Sequence, residues 1–199
     1  MKIEALGVPD AWVCTPRVHG DDRGAFLEWF RGDALAETTG RRFTAMQANH
    51  STSKRGVVRG VHFADVPPGQ AKFVYCPVGA VLDIVIDLRV GSPTFGAVDT
   101  VLLDDVERRA VFISEGIGHA FCSLRDDTSV NYLVSSVYDP VAERTVSPLD
   151  PTLGLTWPAD IGELVMSDKD LAAPSLDDAA RNGILPFYDA CRERYADLS

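Results

Sequence analysis

The stretch RGVHFADVPPGQAKFVYCPVGAVLDIVIDL, Arg59 to Leu88, decides the fold class. At its end Leu82, Ile84, Ile86 and Leu88 fall on one face and Asp83 and Asp87 on the other, the period-two pattern of a strand. Ahead of it, two apolar runs flank Pro67-Pro68-Gly69, a turn sequence that ends one strand and starts the next. The runs predict strands at Val57–Phe63 and Ala71–Val78 joined in hairpin fashion, with His62 on one and Lys72 on the other. Burying an unpaired charge costs several kcal/mol, so both groups are expected to be exposed, paired or used.

Working outward, further strands are predicted at Phe26–Phe30, Phe43–Asn49, Val98–Leu102, Arg109–Ile113, Ala120–Leu124 and Ser129–Val134. Turn chemistry at Gly91-Ser92-Pro93, Asp104-Asp105 and Asp126-Asp127 separates them. Many short strands without alternating helices indicate an all-β sandwich or barrel of jelly-roll type. Helices fall at the edges. Asp33 to Gly40 offers an N-cap and a glycine stop. Ser175-Leu-Asp-Asp178 resembles a capping box leading to a helix closed by Gly183. A last helix runs from Pro186 through Arg194, with Phe187, Cys191 and Tyr195 at helical spacing. There is no repeat or low-complexity linker, so residues 1–199 form a single domain with a helical tail from about 175.

Composition narrows the function. With 199 residues, 46% hydrophobic, the chain can bury one good core. Nineteen basic against 29 acidic residues leave a net charge of −10, which disfavours nucleic-acid binding. No apolar run is long enough to span a membrane, and the start, MKIEALGVPDAW, lacks the apolar core of a signal peptide. Cys14, Cys76, Cys122 and Cys191 are scattered with no CxxC pair, which suits reduced thiols in the cytoplasm.

Several residues could carry chemistry. His62 alone reads as a core histidine satisfied by a backbone carbonyl. A metal reading meets Ala64 where His-x-His needs a second ligand and Lys72 where an acidic one would follow. The chain holds only four histidines, His19, His50, His62 and His119. Arg23, Gln47, Asn49, Arg59 and His119 sit in short strand-like motifs, where inward polar groups must find partners. A phosphate-bearing ligand would supply them. Strict alternation sets Arg59 and His62 on opposite faces, so a shared site needs a bulge, which Gly60 could allow. Tyr132 and Tyr138 read as strand packing and Asp170 as a solvated carboxylate. The residues by themselves describe a β fold with an inward His, Lys and Tyr and phosphate-competent basic groups.

The motifs DxRGxFxEWF (Asp21–Phe30), QxNxS (Gln47–Ser51), Arg59–Gly79, DIVIDLRVGSPTFG (Asp83–Gly96), GHAF (Gly118–Phe121), Tyr132 with Tyr138-Asp-Pro and Glu143, DPTLGLTWP (Asp150–Pro158) and SDKD (Ser167–Asp170) resemble the dTDP-4-dehydrorhamnose 3,5-epimerases and related 3- and 5-epimerases of deoxysugar pathways. The resemblance runs over nearly the whole chain. It implies a cupin-like jelly roll, a homodimer, and a reaction on a dTDP-4-keto-6-deoxyhexose without metal or cofactor. It makes His62 the proton acceptor, Asp170 its orienting partner and Tyr132 the proton donor, with Lys72 at the developing oxyanion. Arg23, Glu28, Gln47, Asn49, Arg59, Lys72, His119, Glu143 and Lys169 match substrate-contact positions, and Phe26 and Tyr138 match surfaces that stack on thymine. It further implies that the segment Asp21–Phe30 reaches the neighbouring subunit's site.

The residue types fit that chemistry. A ketone at C4 acidifies the hydrogens at C3 and C5, and an imidazole, with an ordinary pKa of about 6.5, is a suitable base. A cation beside the C4 oxygen stabilises charge that exists only along the reaction path. One departure stands out. The common family form has a proline before the glycine segment and AHGF within it, whereas this chain has Ser114 and GIGHAF, with Gly118 and Ala120 around His119. This leads to the expectation of a loop accepting a differently substituted sugar, of the antibiotic type. Two other readings stand beside the epimerase: a related cupin ketoisomerase that moves the carbonyl from C4 to C3, and a non-catalytic sugar-nucleotide-binding cupin.

Overall fold

The apolar runs pair into two antiparallel sheets stacked face to face. The computed structural model describes residues 1–199. Its strands are β1 (Lys2–Ala5), β2 (Ala11–Thr15), β3 (Val18–Asp21), β4 (Gly24–Leu27), β5 (Gln47–Ser53), β6 (Val58–Ala64), β7 (Lys72–Val78), β8 (Ala80–Asp87), β9 (Val98–Asp104), β10 (Ala110–Ile113), β11 (Ile117–Ser123), β12 (Thr128–Val134) and β13 (Glu143–Thr145). The helices are α1 (Gly32–Thr39), α2 (Asp168–Leu171), α3 (Leu176–Arg181) and α4 (Tyr188–Asp197). One sheet has the order β1-β2-β10-β7-β12-β5, the other β13-β6-β11-β8-β9, and β3–β4 stands apart as a two-stranded hairpin. Strands distant in sequence sit side by side, as a jelly roll requires. The sheets form a sandwich and do not close into a barrel.

The three largest of four core clusters follow from this stacking. Val74, Val81, Val85, Val111, Phe121 and Val130 fill the space between the sheets. Ile84, Ile86, Leu88 and Val61 on the outer face of the five-stranded sheet pack against Val146, Leu153, Leu176, Ala179 and Leu185 of the C-terminal segment. Phe73, Tyr75 and Phe112 on the outer face of the six-stranded sheet are covered by Leu35, Trp29, Phe30 and Phe43.

Three expectations change. β6 and β7 belong to different sheets, so Pro67-Pro68-Gly69 is a corner between layers and not a hairpin. His62 and Lys72 therefore face each other across the interior. The acidic face of LDIVIDL points inward as well: Asp83 is 1% exposed and Asp87 0%. A sheet covered on both sides buries both faces of its central strands, whatever their alternation. The strand predicted at Phe26–Phe30 stops at Leu27, because Trp29 stacks on Tyr75 at 5.1 Å and Phe30 meets Phe73 edge-on at 5.0 Å. Phe43 likewise leaves its predicted strand for the same outer core, and that strand begins at Gln47.

The edges behave as their local chemistry directs. α1 begins two residues earlier than expected: Arg31 occupies the cap without a side-chain bond, and Asp33 sits in the first turn. Gly40, at φ 71°, ends it. Ser175 accepts the Asp178 N–H at 3.1 Å and caps α3, with Gly183 beyond its end. In α4, Cys191 and Tyr195 are buried, while Phe187 precedes the helix and is exposed. All four cysteines are free and buried.

Gly60 supplies the anticipated bulge. Opposite β11, His119 pairs with His62 but Phe121 pairs with Arg59, so three steps along β6 match two along its neighbour. The extra residue turns Arg59 and His62 to the same face. Gly60 has φ 118°, and a Cβ there would lie 2.5 Å from the His119 carbonyl oxygen, so only glycine fits.

Candidate active site

At one end of the sandwich the interior turns polar and opens into a cavity of about 700 Å³. Register explains which side chains reach it. On the six-stranded sheet, Tyr132 pairs with Asn49 and Val134 with both Gln47 and Lys72, which puts all four polar groups on the inner face. On the facing sheet the Gly60 bulge and the His62–His119 pairing aim Arg59, His62 and His119 at the same space. Glu143 of β13 and the segment Val165–Asp170 close the remaining sides.

His62 Nε2 lies 2.7 Å from Asp170 Oδ1, across 108 positions of sequence. Asp170 is brought there by α2, whose cap Ser167 donates from Oγ to Asp170 Oδ2 at 3.0 Å and accepts the Asp170 N–H. The preceding Val165 is tied to the core by the Val165 N–H to the Gly56 carbonyl and the Val58 N–H to the Val165 carbonyl, both 2.9 Å. Burial pushes the Asp170 carboxyl up, but the His62 hydrogen bond and charge, the Ser167 hydroxyl and the Gly60 N–H together hold it below the ordinary value of 3.8. With Nε2 donating to this carboxylate, Nδ1 is the ring nitrogen left for a ligand.

Lys72 is 7% exposed and forms no ion pair within the protein. Burial draws its pKa below the usual 10.5, with Glu143 and Asp83 pulling it back up and Lys169 pushing it further down. Burial also raises the Tyr132 phenol, helped by Glu143 and opposed by Arg59, so the phenol keeps its proton at neutral pH. Around these, His119 Nε2 sits 2.8 Å from Asp83 Oδ2. Gln47 Nε2 donates to Asn49 Oδ1 at 2.7 Å, and Gln47 Oε1 accepts the Tyr138 N–H at 2.9 Å, tying the Tyr138 loop to the rim. Arg59 donates from Nε to Ser53 Oγ at 3.2 Å and from Nη2 to the Thr52 carbonyl at 3.4 Å, leaving Nη1 for an anion. No group of three or more His, Cys, Asp or Glu side chains is placed to hold a metal ion.

The cavity thus gathers His62, Tyr132, Asp170, Lys72, Gln47, Asn49, Arg59, His119, Tyr138, Glu143 and Lys169 from the sequence reading. It does not gather Arg23, Phe26 and Glu28. Arg23 pairs with Asp21 on the detached hairpin, Phe26 is 67% exposed there, and Glu28 meets Arg31 at 3.4 Å. Sequence reasoning missed Ser51, Gln70, Phe121 and Ser167 as wall residues. Ser51 and Ser167 lay inside motifs already noted, and Ser51 Oγ is sealed without a partner. Within GIGHAF, His119 and Phe121 line the cavity, and the departing positions Gly118 and Ala120 do not. Both lie in β11, not a loop; a Cβ at Gly118 would strike Leu88 and Val61, and Ala120 packs in the outer core.

A jelly roll holding a carboxylate-bound imidazole, an unpaired ammonium and a protonated phenol around one cavity is equipped to move protons on and off carbon beside a carbonyl. Residues 5–178 match the family model of dTDP-4-dehydrorhamnose 3,5-epimerase. A dTDP-4-dehydrorhamnose 3,5-epimerase of Mycolicibacterium smegmatis is 52% identical over 192 residues, covering 96% of this chain and 94% of that one. An epimerase structure from Mycobacterium tuberculosis superposes with a TM-score of 0.98 at 44% identity over the whole of both chains. A 3′-monoepimerase from Streptomyces bikiniensis, solved in complex with dTDP-quinovose, gives 0.93 at 46% identity over 97% of each. The chain belongs to the dTDP-4-dehydrorhamnose 3,5-epimerase family.

The Asp170 pair makes a prediction about pH. A carboxyl that holds its proton less readily when folded stabilises the fold above its ordinary pKa, and that contribution is lost as pH falls through the folded value. Asp170→Asn is expected to cost about 1.5–3 kcal/mol at pH 7, the range for a hydrogen bond to a charged group. Thermal melts of both proteins from pH 7 to pH 3 should show the gap closing below about pH 4. A gap that widens in acid contradicts the assignment.

Proposed function

We propose that this protein inverts C3, C5 or both in a dTDP-4-keto-6-deoxyhexose, within deoxysugar biosynthesis. The observation that carries the reading is the placement of the His62–Asp170 pair and the unpaired Lys72 on opposite sheets of one cavity. His62 Nδ1 takes the proton from carbon beside the C4 ketone, and the electron pair moves into an enolate on the C4 oxygen. Asp170 keeps the ring in the required tautomer and stabilises the imidazolium, as the carboxylate does in a Ser-His-Asp triad. Lys72, costly to bury alone, gains its counter-charge when the enolate forms, so its attraction grows towards the transition state. Tyr132 stands across the cavity from His62 and returns a proton to the opposite face of the ring. Arg59 and Lys169 face the diphosphate, and Tyr138 at the rim offers a face to the base.

The same reading accounts for the hairpin. An isolated two-stranded hairpin is marginal in water, yet β3–β4 is exposed along nearly its whole length and displays Phe26. A homodimer in which each hairpin, with Arg23, Phe26 and Glu28, completes the other subunit's cavity gives those residues a role. Buried free cysteines fit the reducing cytoplasm, where such an enzyme works.

Two measurements test this. Incubated with dTDP-4-keto-6-deoxyglucose in heavy water with chelator present, the protein should place deuterium at C3, with or without C5, as read by NMR. His62→Ala should reduce exchange at least about 10²-fold while leaving dTDP affinity nearly unchanged. A carbonyl migrated to C3 would assign a ketoisomerase, and binding without exchange a non-catalytic module. For the assembly, sedimentation should give twice the 21.6 kDa chain mass; a monomer at micromolar concentration would refute the shared site.

A further inference from the structure

β8 places two carboxylates on one inward face, Asp83 and Asp87, and the protein treats them differently. Asp87 accepts from Arg89 Nε at 2.8 Å, Arg89 Nη2 at 2.9 Å, Ser92 Oγ at 2.6 Å and Thr94 Oγ1 at 2.7 Å. Its charge is fully answered, and through Arg89 it ties β8 to Asp10 and Tyr195. Asp83, equally buried, accepts one hydrogen bond only, from His119 Nε2 to Oδ2. Its Oδ1 is sealed with no partner. An ionised carboxylate with a single donor is expensive to bury, and its neighbours on that face, Val81 and Val85, are apolar core. Packing alone favours a third aliphatic residue here.

We propose that Asp83 is a positioning residue of the reaction, which holds His119 with Nε2 donating and turns its Nδ1 edge to the substrate as a second hydrogen-bond donor beside Lys72. The proposal rests on the epimerase reading of the cavity. His119 and His62 are directly paired on neighbouring strands, so both rings project from one sheet into one space. Asp83 also lies near enough to Lys72 for its charge to act on that ammonium.

The two His–Asp pairs are set up for opposite tasks. Asp170 divides its charge among His62, Ser167 and the Gly60 N–H, which leaves His62 free to accept a proton from carbon. Asp83 gives its charge to His119 alone, which suits a ring that keeps its hydrogens and donates to a developing negative oxygen. His119 therefore acts as the imidazolium, its second proton taken from solvent before the sugar binds and its charge met by Asp83, so that both nitrogens carry hydrogens.

The test is a double-mutant cycle read by the deuterium-exchange rate. Asp83→Asn keeps size and shape and should slow exchange about 10²-fold, as losing one donor to a developing oxyanion does, with the dTDP Kd within about 2-fold of the parent. Added to His119→Phe it should cause little further loss, because both changes remove one function. Exchange within about 3-fold of the parent in folded Asp83→Asn, or losses that multiply in the double variant, overturns the proposal. Should Asp83→Asn fail to fold, the ¹⁵N-histidine spectrum of the unaltered protein decides: hydrogens on both nitrogens of His119 support the assignment, and a bare nitrogen at either position refutes it. No exchange in the unaltered protein would instead sink the epimerase reading, and this proposal with it.

Discussion

The contact between His62 Nε2 and Asp170 Oδ1 is the point on which the rest of the site depends. It joins an inner strand to a four-residue helix 108 positions later and exists only because three separate features agree. The Gly60 bulge turns His62 inward, the Val165 bridge to β6 sets the height of the last turn, and Ser167 caps α2 so that Asp170 points back into the sandwich. The Gly60 N–H also helps hold the Asp170 carboxyl below its ordinary pKa.

Jelly-roll sheets hide polar groups as readily as apolar ones, provided that partners come with them. Two solutions coexist on β8. Around Asp87, Arg89, Ser92 and Thr94 satisfy the carboxylate from within the chain, and the result is a fastening for α4. Around Lys72, Ser51 Oγ and Asp83 Oδ1 the protein leaves groups unanswered. Lys72 and Ser51 line the cavity and Asp83 holds His119, which lines it; Arg109 Nε, Ser114 Oγ, Thr145 Oγ1 and Arg194 Nε are unanswered outside the lining. Incomplete satisfaction of buried polar atoms is costly to a fold and useful to a site, because the ligand recovers what folding gave up.

Much of this was legible in the sequence, for physical reasons. The central strands showed as alternation, the turns as Gly, Pro and Asp clusters, and the bulge as a conflict between Arg59 and His62 that only Gly60 could resolve. What was hidden depends on partners distant in the chain. The burial of Asp83 and Asp87 could not be read off, because alternation does not say whether the second face meets water or another sheet. β1, β2 and β13 escaped notice because strands of three to five residues with mixed burial carry too little period. The union of His62 with Asp170 came from family resemblance and not from spacing. Trp29 and Phe30 misled because aromatic strand formers here cap an outer face as loop residues.

The most direct test of the account is the structure of the protein with a bound dTDP-6-deoxyhexose carrying a hydroxyl in place of the C4 ketone. The account predicts His62 Nδ1 about 3–3.5 Å from C3 or C5, a near-attack distance, with Lys72 Nζ within hydrogen-bond reach of the C4 oxygen and the Tyr132 hydroxyl on the opposite face of the ring. A sugar lying with His62 and Lys72 on unrelated atoms, or with Tyr132 and His62 on the same side, would contradict it.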